Sequence, residues 1–74
     1  MNDTIIPIAK SIDEITQTGF YRLPDGIAKV SMHDGGIKHY LYGGRGLGGI
    51  IFEDGRHYVR KYKRRSWGAW EIKK

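Results

Sequence analysis

A chain of 74 residues with no cysteine allows one small domain and excludes one held by disulfides or by a cysteine zinc site. A domain this size buries only about 60% of the surface its unfolded chain exposes, so self-association or seating in a larger assembly is the expected further support. Thirteen Lys and Arg against eight Asp and Glu give a net charge of +5, which suits a nucleic acid, an anionic glycan or a membrane surface as partner.

No apolar run approaches the ~18 residues of a membrane-spanning helix, so no membrane insertion is expected. The start, MNDTIIPIAK, lacks the basic and apolar regions of a secretion signal. A soluble product made in a cytosol is the expectation.

Residues 1–10 read as an extended arm. They hold Ile5, Ile6 and Ile8, but Pro7 cannot donate a ladder hydrogen bond, so they form at best an edge strand. Residues 11–74 read as one β-domain. Ser11 and Glu14 have the spacing of a capping box, in which each side chain satisfies a free backbone N–H. One short helical turn from Ser11 to Thr16 is predicted, with Ile12 and Ile15 facing inward. Beyond it, eleven glycines in so short a chain argue against helices. Turn residues recur at Pro24-Asp25-Gly26, Asp34-Gly35-Gly36, Gly43 to Gly49, Asp54-Gly55 and Lys63 to Ser66. Between them lie runs rich in Tyr, Phe, Ile and Val. Strands are predicted at Phe20–Leu23, Ile27–His33, Ile37–Tyr42, Ile50–Glu53, His57–Tyr62 and Trp67–Lys73. Ala28, Val30 and Met32 alternate with Lys29 and Ser31; Ile37 and Leu41 face opposite to Lys38 and Tyr40. The fold class is all-β: a small antiparallel meander of five or six short strands, closed as a sandwich or a partly open barrel.

Trp67 and Trp70 are three apart, so a regular strand would point them to opposite faces. A bulge or bend at Gly68-Ala69 would reset the face. The expected core is then Phe20, Val30, Leu41, Phe52, Trp67 and Trp70, with Trp67 capping one end while Trp70 and Ile72 fill it.

The glycine-rich stretch Gly43 to Gly49 is followed by Ile50-Ile51-Phe52, which reads as strand. A phosphate cradle needs a helix there, so the stretch is a loop with Arg45 at its tip as a candidate receptor contact. Tyr40, Tyr42 and Tyr58, with Arg60, are the candidate ligand platform; cross-strand packing is the competing use of the tyrosines. Arg60 alternates with Tyr58 and Tyr62 and suits packing over an aromatic ring. Lys61, Lys63, Arg64 and Arg65 make a basic patch that fits nucleic acid or the protection of a sheet edge. His33, His39 and His57 fall on three strands without supporting carboxylates, so no metal is expected. No nucleophile and base pair is visible, and no cofactor motif. A binding or structural protein is expected, not an enzyme.

The order of signals is specific. "TGFYRL" (Thr18 to Leu23) follows the "SIDEIT" turn; the strand "IAKVSM" leads to "IKHYLYGGRG", then to "DGRHYVRKYKRRSWGAWEIKK". Over roughly Ile12 to Ile72 this resembles the pyocin knob family, small β-domains of phage and R-type pyocin tail fibres. The main carriers are Gly19, Tyr21, Tyr58, Arg60, Trp67 and Trp70. The resemblance implies a virion structural module of a tail fibre, made in the host cytoplasm. It would act in fibre assembly or host-surface attachment, as a homo-oligomer such as a trimer or within a larger fibre protein, with a host-surface glycan as a candidate ligand. Two other readings stay open: a small basic β-domain that binds nucleic acid, and a standalone phage protein that inhibits a host protein.

Overall fold

The structure, a computed structural model, describes residues 5–73, so residues 1–4 of the expected arm lie outside it. Seven strands follow the turn signals: β1 (Gly19–Leu23), β2 (Gly26–Met32), β3 (Lys38–Tyr42), β4 (Leu47–Ile51), β5 (His57–Lys63), β6 (Ser66–Trp67) and β7 (Glu71–Ile72). Each strand from β1 to β5 pairs antiparallel with the next, and β7 pairs with β5 beside β6. The result is the all-β meander expected. It is one open sheet, however, where a sandwich or partly open barrel was expected.

A second layer comes from the N-terminal segment. Ile8 makes a parallel bridge to Arg22 at the free edge of β1. The Ala9 N–H donates to the Arg22 carbonyl (2.9 Å), and the Arg22 N–H to the Pro7 carbonyl (2.8 Å). The chain then carries Ala9, Ile12 and Ile15 onto the sheet's inner face. A single 3₁₀ turn, Ile12–Glu14, replaces the longer helical turn. The capping box does not form: Ser11 caps nothing, and the Glu14 carboxylate accepts instead from the Lys10 N–H, one residue before the cap position (3.2 Å). The clamp on this segment is Lys38 of β3. Its buried ammonium donates to the Ile12 carbonyl at 2.6 Å, and burial lowers its pKa.

The inner face is set by register. Ala28 lies opposite Tyr42 and Val30 opposite Tyr40; Tyr40 and Tyr42 lie opposite Gly49 and Leu47. Ala9, Ile15, Leu23, Ala28, Val30, Tyr40 and Tyr42 form the core, with Val30 fully enclosed. Gly49 is required by Tyr40: a Cβ at position 49 would overlap the tyrosine ring. The Tyr40 hydroxyl meets His57 Nε2 of β5 at 2.7 Å, so its buried polar end is satisfied. Burial pushes the Tyr40 phenol up to about 12.

Four expected core residues, Phe20, Leu41, Trp67 and Trp70, are on the other face. Phe20 is 57% exposed, Leu41 44% and Trp70 43%; Phe52 and Trp67 are half-buried. Ile72 is exposed as well. Tyr40 and Tyr42, expected as ligand contacts, are core. In β3, Leu41 and the two tyrosines fall on opposite faces, and the space over Gly49 selects the tyrosines for the inside. Among the described residues no helix is long and apolar enough to cross a membrane.

Two outcomes are expected from this packing. Gly49→Ala forces the Tyr40 ring to move and costs about 1–3 kcal/mol, whereas Gly43→Ala, whose Cβ meets only the Ile27 carbonyl at 3.9 Å, stays within about 0.5 kcal/mol; urea unfolding reads both. Burial, aided by the Lys73 charge, lowers the His57 pKa below its ordinary value. The unfolded chain then takes up that proton more readily than the folded one. The associated stability is present above the ordinary histidine value and is lost as pH falls through the folded value. The thermal midpoint is expected to fall between about pH 7 and pH 5, and His57→Gln to flatten part of that slope.

Candidate binding face

The outer face of the sheet is left open by the N-terminal segment, which packs only against the inner one. Register places a straight row across five strands of this face: Phe20, Lys29, Leu41, Gly48 and Arg60. At about 4.8 Å per strand the row runs roughly 19 Å. A second row beside it holds Ser31, His39, Ile50, Tyr58 and Ile72.

The C-terminal strand makes the wall of this face, and the way it does so depends on one extra residue. Tyr62 pairs with Trp67 on β6, but Tyr58 pairs with Ile72 on β7, so the register along β5 slips by one residue between the two. The slip occurs across Gly68 to Trp70, where the Gly68 N–H turns in to the Lys61 carbonyl at 2.7 Å. This is the bulge the tryptophan spacing called for. Its effect differs from the expected one: both indoles come to the outer face instead of into the core. The Arg60 guanidinium stacks with each of them, 4.5 Å from the Trp67 ring and 4.5 Å from the Trp70 ring. Tyr62 supports Trp67 edge-on at 5.2 Å. Gly48 opens the floor beneath: a Cβ there would press on the Trp67 ring edge at 3.3 Å and on Leu41 at 3.4 Å.

Together these residues line a groove of about 360 Å³. Leu41, Gly48 and Ile50 form its floor, Trp67 and Trp70 flank Arg60, and Lys29, Ser31 and His39 line the rest. No carboxylate lines it. Among the described residues the acidic groups lie in the N-terminal segment and the turns, and Glu71 faces inward opposite Val59. The one ion pair among the described residues, Asp54 with Arg56 at 2.8 Å, sits at the β4–β5 turn, outside the groove lining. Burial, then the charges of His33 and Arg60, lower the His39 pKa. His39 is therefore neutral in ordinary buffer and presents one N–H and one lone pair. Its ring lies 4.5 Å from that of His33.

The expected site residues are dispersed. Arg60 is in the groove. Tyr58 shares the outer face but packs edge-on against Phe52 at 5.8 Å. Arg45 lies in the β3–β4 turn, near Gly26. Lys61 sits across from Leu47 on the inner side. Lys63, Arg64 and Arg65 form the tip of the β5–β6 hairpin, where Arg64 (φ 52°) and Arg65 (φ 67°) take the left-handed conformation of a tight two-residue turn. Lys29, Ser31 and His39 were not expected as site residues. The alternation of Lys29 and Ser31 with Ala28, Val30 and Met32 already put those two outside. No group of three or more His, Cys, Asp or Glu among the described residues is arranged to hold a metal ion. A scan of protein-family models finds none that matches the chain, and searches of curated proteins and of solved structures find no match either.

Removing the guanidinium should loosen both indoles. Arg60→Ala is expected to red-shift tryptophan emission and to cost about 1–2 kcal/mol in urea unfolding, for two stacked contacts. Arg64→Ala, at the hairpin tip, is expected to change neither.

Proposed function

We propose that the protein is a virion structural module similar to a tail-fibre knob, acting in fibre assembly or host-surface attachment without catalysis of its own. One observation carries the reading: an entire sheet face is left uncovered with large apolar side chains on it, namely Phe20, Leu41, Trp70 and Ile72. Contiguous exposed apolar surface on a small domain marks a place where something else binds. The sequence order from "TGFYRL" to "RRSWGAW" supports the family, and four of the six residues that carry the resemblance, Tyr58, Arg60, Trp67 and Trp70, belong to this face, while Tyr21 packs against the core.

The N-terminal arm supplies the assembly contact. Ile5 is 85% exposed and Ile8 80% exposed, beside the free edge of β1. A neighbouring copy covers both the isoleucines and the edge. The hairpin tip of Lys63, Arg64 and Arg65 favours a second reading, in which exposed cations bind nucleic acid.

The test is the solution mass by light scattering, at low and high salt and free of nucleic acid. A salt-resistant oligomer, reduced to monomer by Ile5→Lys with Ile8→Lys, is the expected result. A monomer at every concentration would sink the assembly part of the reading. Oligonucleotide affinity that falls steeply with salt and is lost with Lys63→Glu and Arg64→Glu would favour the second one.

A further inference from the structure

We infer that the outer groove is a saccharide site that selects sugars bearing a carboxylate, with Arg60 holding the acid group and Trp70 the sugar ring. The inference rests on the outer face being the contact surface proposed above, and it names the chemistry of what is contacted.

The argument starts from Arg60. The guanidinium carbon lies 4.5 Å from the centre of each indole, so two rings hold it in place without using its N–H groups in any hydrogen bond among the described residues. Those N–H groups form a planar fork and have no partner among the described residues. A fork held in one orientation has little rotamer freedom left to lose, and its geometry matches a carboxylate bidentately. No carboxylate among the described residues pairs with it, and none lines the groove. The guanidinium is thus held between two rings and has no counter-ion among the described residues.

The surroundings of that fork suit a sugar. A volume of about 360 Å³ is at the small end of ligand pockets and is open on one side, as a site for part of a chain must be. Its floor is apolar, for the C–H faces of pyranose rings, and the half-exposed indole of Trp70 offers a stacking surface. Ser31 supplies a hydroxyl, and neutral His39 supplies one donor and one acceptor. These groups pair with sugar hydroxyls in either direction. The 19 Å row from Phe20 to Arg60 gives an extended chain several contacts in line.

The same row argues against a nucleic-acid strand. A polynucleotide carries a charge on every unit, and the row offers Lys29 and Arg60, three strand spacings apart, or roughly 14 Å. The dense cations Lys63, Arg64 and Arg65 are at the hairpin tip, outside the groove lining.

The test uses oligogalacturonate, its fully methyl-esterified form and a short oligothymidylate, each titrated into the intact protein and followed by tryptophan quenching and calorimetry. Oligogalacturonate is expected to bind saturably, and the ester at least about tenfold more weakly, the loss of one bidentate charged pair. Arg60→Lys keeps the charge and loses the fork, and is expected to weaken the acid form alone. Lys29→Gln and Trp70→Ala, both at exposed positions, test the groove without relying on the fold of the Arg60 variant. Lys29→Gln is expected to weaken the acid form and Trp70→Ala both forms; Arg64→Ala is expected to change nothing. Equal affinity for acid and ester overturns the carboxylate selection while leaving the attachment reading in place. Preference for oligothymidylate, or saturable binding of none of the three, overturns the inference. The oligomeric state, measured separately, decides the assembly reading in either case.

Discussion

The ring of Tyr40 lies over the backbone of Gly49, and the arrangement of both faces follows from that contact. The glycine leaves room on β4 for a ring anchored on β3, and the ring's hydroxyl reaches on to His57 of β5. Three neighbouring strands are joined by one side chain. Because β-strand side chains alternate, turning Tyr40 inward turns Lys38 and Tyr42 inward too, and His39 and Leu41 outward. Lys38 then reaches the Ile12 carbonyl and draws the N-terminal segment across the same face. The buried ammonium is a cost in desolvation, offset by its hydrogen bond and by the apolar segment it holds down.

Among the described residues one such segment covers the sheet. With the inner face covered, the outer one is finished by the C-terminal strand alone. The one-residue slip across Gly68 to Trp70 turns that strand from an edge into a wall, since it brings two indoles to the same side of β5. Arg60 has its guanidinium carbon 4.5 Å from the centre of each. Stacking of this kind orders a long, flexible side chain without using up its hydrogen-bonding edge. The stability of the C-terminal strand and the chemistry of the groove thus share the same three residues.

Much of this was legible in the residues and some was not, for physical reasons that can be named. The turns were legible because glycine pairs and Asp-Gly steps tolerate backbone conformations that other residues avoid; β4 is the correction, since it starts at Leu47 inside the stretch Gly43 to Gly49 expected as a loop and ends at Ile51 short of Glu53, because Gly48 and Gly49 serve as strand positions that make room for Trp67 and Tyr40. The alternation in "IAKVSM" placed Lys29 and Ser31 outside. The bulge was legible from two tryptophans at an odd spacing. In "IKHYLY", by contrast, both faces carry large partly apolar side chains, and hydrophobicity alone favoured Leu41 for the interior over the tyrosines. The usual preference for burying phenylalanine and tryptophan likewise misplaced Phe20 and Trp70. With only one face covered, the chain had more large apolar groups than its interior holds.

The sequence by itself determined the class of fold, the strand order and the presence of a break before Trp70, because these depend on local backbone preferences and on a period of two. Which face became the interior was decided only in the tertiary structure. That choice rests on a contact between residues on different strands, Tyr40 over Gly49, and on which surface the N-terminal segment covers. The groove depends on the same choice: Lys29 and His39 are far along the chain from Arg60, Trp67 and Trp70 and meet them only because the intervening turns bring their strands side by side.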